Sequence, residues 1–140
     1  MAETTGAELR VKHLEMIQGV VGRMSTYSAS KKNYCLTLVT GVSGLSISLD
    51  RPLMGLLAVA PILLFAVLDA QYLRIERRYR WLFDQVRESD WGVAPTFSLS
   101  PDGAPNVGLH RLLFSWSVWS FYLPLAIVVL VVLVAVQVAK

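Results

Sequence analysis

Between Ala7 and about Tyr27, the apolar residues Leu14, Ile17, Val21 and Met24 recur at three- and four-residue steps, and Leu9, Val20 and Tyr27 widen the stripe. That period predicts an amphipathic helix over 7–30, with Thr5 and Glu8 in capping-box spacing at its start. Three apolar runs follow, from Tyr34 to Leu49, Leu53 to Leu73 and Ser117 to Val138. Each is near the roughly 20 residues that cross a bilayer core, so the pattern predicts spans at 33–49, 53–73 and 117–138. The third carries no charge, whereas the first holds Thr37, Thr40, Gly41, Ser43, Gly44, Ser46 and Ser48 and scores poorly on hydropathy. Beyond the second run the helical period continues through Tyr72, Ile75, Tyr79, Leu82, Phe83 and Val86. This predicts a helical extension over 74–89, with Glu76/Arg80 and Arg80/Asp84 as four-apart pairs.

The turn Asp50-Arg51-Pro52 folds the second helix antiparallel to the first. A helix from Leu53 to about Glu88 is about 54 Å long, against about 30 Å of hydrocarbon, so it projects into the cytoplasm beside the first. The predicted fold is an all-α membrane protein with three transmembrane helices, the first two a hairpin extended into a cytoplasmic helical stalk. Pro61 and Pro124 fall inside spans, where membrane helices tolerate proline. Residues 90–115 read as a cytoplasmic loop, because 91–110 hold three prolines and three glycines. So long a connection is either a mobile linker or a lid or binding loop.

Composition agrees with a membrane protein: 54% of residues are hydrophobic and 16% charged. Eleven of the 13 bases precede the first run or lie between the second and third, which predicts a cytoplasmic N-terminus and an external C-terminus. The net charge of +3 then reflects topology rather than nucleic-acid binding. Trp116, Trp119 and Tyr122 stand where an interfacial belt is expected. No secretory signal is visible, and the lone Cys35 reads as packing.

Catalytic patterns are absent from the sequence: there is no phosphate loop, Cys-x-x-Cys, His-Glu-x-x-His or Gly-x-Ser-x-Gly. His13 and Glu15 fall on different helical faces, and Asp84, Glu88 and Asp90 read as a solvated helix end. Neither an enzyme, a metal nor a cofactor is expected. Asp69, near the end of the second run, is the notable acid, since an uncompensated carboxylate in hydrocarbon is costly. On the hairpin it lies level with Lys31, Lys32 and Asn33, with Arg74 a further candidate partner; it is either a structural fastener or a gating acid. Arg23 is a candidate for an interhelix pair or an anionic ligand. On the first span Thr37, Gly41, Gly44 and Ser48 share one face, with Thr40 and Ser43 beside it. Small residues let helices approach closely in lipid. The face either packs within the chain or meets its copies around an axis and lines a pore, which three spans alone cannot enclose.

The blocks His13-Leu-Glu-Met-Ile-Gln through Arg23-Met24, and Leu68-Asp-Ala-Gln-Tyr-Leu-Arg-Ile-Glu-Arg, resemble those of small uncharacterised bacterial integral membrane proteins. The architecture more loosely resembles transmembrane effectors of bacterial antiphage systems. These resemblances imply the bacterial cytoplasmic (inner) membrane and a homo-oligomeric, membrane-permeabilising effector answering a cytoplasmic protein or small-molecule signal. The alternative is a non-conducting adaptor that docks a cytoplasmic partner.

Overall fold

The computed structural model describes residues 5–138, and among them the chain is helical with no strand. Helix α1, Gly6–Ser48, is unbroken over 43 residues, about 65 Å at 1.5 Å per residue. Thr5 is its N-cap by position, but the expected capping box does not form: its side chain makes no cap bond, and its carbonyl instead receives Glu8 N–H at 2.8 Å and Leu9 N–H at 3.2 Å.

Helix α1 ends in a tight turn. Asp50 adopts φ 49°, a left-handed conformation that Asp tolerates, while Arg51 N–H donates to Ser46 O at 3.1 Å and Ser46 Oγ donates to Arg51 O at 3.0 Å. Proline then starts the one-turn helix α2, Pro52–Gly55. A 3₁₀ turn, Leu56–Ala58, joins it to α3, Val59–Glu88. Pro61 explains the tightening: it has no N–H for Leu57 O and its ring crowds that carbonyl. Gly55 is buried, and a Cβ there would collide with the Leu133 side chain and meet Ser46 Oγ at 3.1 Å. The turn is therefore wedged against the far end of α5.

Helices α1 and α3 pack side by side in opposite directions, as the contacts Arg10 with Val86, Ser28 with Asp69 and Cys35 with Pro61 require. The short helix α4, Leu109–Leu113, lies within the expected loop, and α5 runs Trp116–Val138. Val118, Tyr122, Leu125 and Val129 form the buried stripe of α5 against α1 and α3.

Two helices, Leu53–Glu88 taken as one and Trp116–Val138, are long and apolar enough to cross a membrane. The expected third does not reach that standard, because the hydroxyls and glycines of the first run lower its hydropathy. Only 11% of the most apolar stretch of α5 is buried, and Leu130, Val131 and Val134 are exposed. A soluble core helix would hide this surface.

Candidate functional site

Asp69 is 3% exposed on α3, so its carboxylate needs partners within the fold. They come from one face of α1. Ser28 and Lys32 stand four residues apart, hence on adjacent turns; the Ser28 hydroxyl donates to Asp69 Oδ1, and Lys32 Nζ lies 3.4 Å from Oδ2. Lys32 also donates to Ser117 O, at 3.4 Å, in the first turn of α5, and lies above the Phe121 ring. One lysine thus ties α1 to both apolar helices. One turn further along, the Tyr122 hydroxyl donates to Phe65 O at 3.1 Å, drawing α5 onto α3.

The other expected partners go elsewhere. Lys31 sits on the Tyr72 ring with its Nζ buried and without a hydrogen bond, a cation–π contact in place of a carboxylate. Asn33 is exposed and contributes its backbone carbonyl to Thr37 Oγ1 at 3.0 Å. Arg74 reaches Asn106 rather than Asp69. Arg23 is exposed and has no ion pair among the described residues. Arg80 pairs with Glu76 at 2.7 Å, but Asp84 pairs with Arg87, at 3.3 Å, instead of Arg80. Tyr122 is buried, unlike Trp116 and Trp119, which are exposed.

Thr37, Thr40, Gly41, Gly44 and Ser48 are all exposed, and a Cβ on Gly41 or Gly44 would meet nothing within 4 Å. The face does not pack on α3 or α5. Gly19, Gly22 and Thr26 extend it toward the other end of α1, and the two glycines there are equally open. Three of its hydroxyls turn back on their own helix, Thr26 to Gly22 O, Ser30 to Thr26 O and Thr37 to Asn33 O, and Thr40 and Ser48 stand exposed beside them.

A second polar cluster has no counterpart among the expected sites. Arg10, 3% exposed, donates to Val86 O at 3.0 Å, to Ser89 Oγ and to Val93 O at 2.7 Å. It brings from α1 a second cation, beside the Arg87 of the last turn, and donors for carbonyls at the carboxyl end of α3. His13 is buried, its Nε2–H donates to Ser98 O at 2.9 Å, and its ring packs on Phe97. Further down, Arg78 donates to Pro101 O at 3.1 Å and Gly103 lies against Trp81, where a Cβ would come within 2.8 Å of the ring. Residues 91–106 therefore form a strap bound along the stalk, in place of a free linker. The signal was present in the sequence: Arg10 and His13 stand in register with Ile17 on the apolar stripe.

The junction holds one acid, one cation and one hydroxyl, with the hydroxyl bonded to the carboxylate that also faces the lysine. Among the described residues no three His, Cys, Asp or Glu side chains gather to hold a metal. What the arrangement can do is lock or release helices through charge. No protein-family model, curated protein or solved structure matches the chain.

Proposed function

We propose that this chain is one subunit of a homo-oligomeric channel, or membrane-permeabilising effector, opened through its stalk helices. The observation that carries the reading is the open, exposed stripe of glycines and hydroxyl side chains along α1. Such a face permits close helix approach between copies, and rotation of its hydroxyls away from their own carbonyls supplies polar groups to a shared path.

In this reading the carboxyl half of α1 is the third span. Its polar stripe is set off by exposed Leu36, Leu38, Leu45 and Ile47, suited to lipid on the flanks. The distribution of bases favours a cytoplasmic stalk and strap, with the Asp50 turn and C-terminus outside. The resemblance of the two sequence blocks suggests the bacterial inner membrane, and the looser one an antiphage setting. The Lys32–Asp69–Ser117 junction is where a stalk signal reaches α5.

The adaptor reading has one observation in its favour: Trp91, Val93 and Phe97 are exposed near the stalk tip, a surface a cytoplasmic partner could cover. Purified protein in liposomes distinguishes the two. Ion release by a closed ring of copies is expected; tight vesicles, or a monomer in nanodiscs, would sink the channel reading.

A further inference from the structure

The side chains that hold the strap offer more than the strap uses. Arg10 is a buried guanidinium whose acceptors are all neutral: the carbonyls of Val86 and Val93 and the Ser89 hydroxyl. Arg78 donates to Pro101 O, and neither arginine has an acid partner among the described residues. Nε of both is buried and donates to nothing, and His13 Nδ1, one turn along α1 from Arg10, also lacks a partner. Buried cations are ordinarily matched by acids, and unmade bonds at buried polar atoms are costly. The acids at either end of the strap are engaged locally, Asp90 by Gly92 N–H at 2.9 Å and Asp102 by the Ser100 hydroxyl at 2.6 Å.

Length tells against the strap as well. Arg10 is level with Val86, and Arg78 lies eight residues earlier on α3, a separation of about 12 Å along the axis at 1.5 Å per residue. About four residues of extended chain cover that distance at about 3.1 Å each. The strap uses eight, from Val93 to Pro101, so it cannot run straight between the two arginines. Phe97, midway, takes φ 54°, a left-handed conformation that is an outlier for a bulky side chain. A straighter segment with carboxylates about four residues apart would meet both guanidinium groups with charge-assisted bonds and without that strain.

We propose that the stalk face beneath the strap is a docking groove for an extended acidic segment of a cytoplasmic protein, whose carboxylates take the places of the strap carbonyls on Arg10 and Arg78. The strap is the tethered stand-in for that segment, and its displacement carries the partner's arrival to Asn106, α4 and α5. This rests on the reading of the stalk as the end that receives a cytoplasmic signal, and it is independent of whether the membrane half conducts.

The probe is a fluorescein-labelled decapeptide of alternating Glu and Pro, which stays extended and sets carboxylates four residues apart. Anisotropy is measured with the full chain in nanodiscs. Saturable binding is expected, at least about tenfold tighter than for the Gln-Pro decapeptide, and saturating peptide should speed cleavage of 91–106 by a non-specific protease. Gly103→Val, whose Cβ meets the Trp81 ring at 2.8 Å, loosens the strap while leaving Arg10 and Arg78 in place. It should tighten binding several-fold, because the tethered competitor is weakened. Arg78→Gln should weaken binding by about tenfold, whereas Arg77→Gln, at an exposed position beside it, should leave it unchanged. Equal binding of the Glu and Gln peptides, equal loss in the two arginine variants, or a strap that stays protected under saturating peptide each overturns the groove. None of these readouts involves ion release, so their failure leaves the channel reading standing, and ion-tight liposomes leave the groove standing.

Discussion

Asp69 is buried where Ser28 and Lys32 converge on it, and Lys32 retains some access to water, its side chain being 23% exposed against 4% for Asp69. Asp69→Asn keeps an acceptor for Ser28 and removes the charge opposite Lys32. It should cost about 3 kcal/mol, the low end for breaking a buried pair, seen as a lowered unfolding midpoint in detergent. Adding Lys32→Met should recover a good part of that loss, because the two sites share one interaction; strictly additive effects would show that the pair contributes nothing. Gly55→Ala places a methyl against Leu133, and overpacking of this kind costs about 1–3 kcal/mol; Leu133→Ala in the same chain should relieve it. The contact between Asp69 and Lys32 was legible because a carboxylate in an apolar run demands a cation at equal depth, and the turn at Asp50 sets that depth. Ser28 was not, since a serine on a helix face looks the same whether it meets solvent or an acid across the interface.

At the scale of elements, the strap is the part that local pattern conceals. Its prolines at 95, 101 and 105 remove backbone donors, so it forms no ladder or helix, and composition alone reads as a linker. Its order comes from Arg10, His13, Arg78, Trp81 and Arg74 on two helices. His13→Ala removes both the donor to Ser98 O and the surface under Phe97. The expected outcome is cleavage between 91 and 106 by a non-specific protease at a rate at least about tenfold higher, as local opening becomes cheaper by about 1.4 kcal/mol or more, while α5 remains intact. An unchanged cleavage rate would mean that the clasp does not hold the strap. The helices themselves were legible, α1 and α3 from their period, but the tightened turn before Pro61 was not separable from an ordinary helix start.

For the whole molecule, the open face of α1 makes opposite demands on a subunit and on an assembly. Within one chain Gly22→Ala and Gly41→Ala meet nothing and each should stabilise the helix by about 0.5–1 kcal/mol. In the proposed assembly, Gly41→Leu should likewise leave the subunit folded while pushing neighbouring copies apart. Size-exclusion with light scattering should therefore show smaller assemblies for Gly41→Leu at undiminished melting temperature; an unchanged assembly would place the copy interface elsewhere. The sequence pointed to this face by its spacing but could not say that it stays open within the chain, because small residues suit both internal and external close packing. The strap adds a consequence for how the chain is made. Arg10 and His13 find partners 76 to 85 positions later, so the amino-terminal helix leaves the ribosome long before the carbonyls that complete it exist. Until Ser98 is synthesised, its buried histidine and arginine stand uncovered, and a nascent chain stalled short of that point presents a polar seam that chaperones and proteases can distinguish from the finished protein.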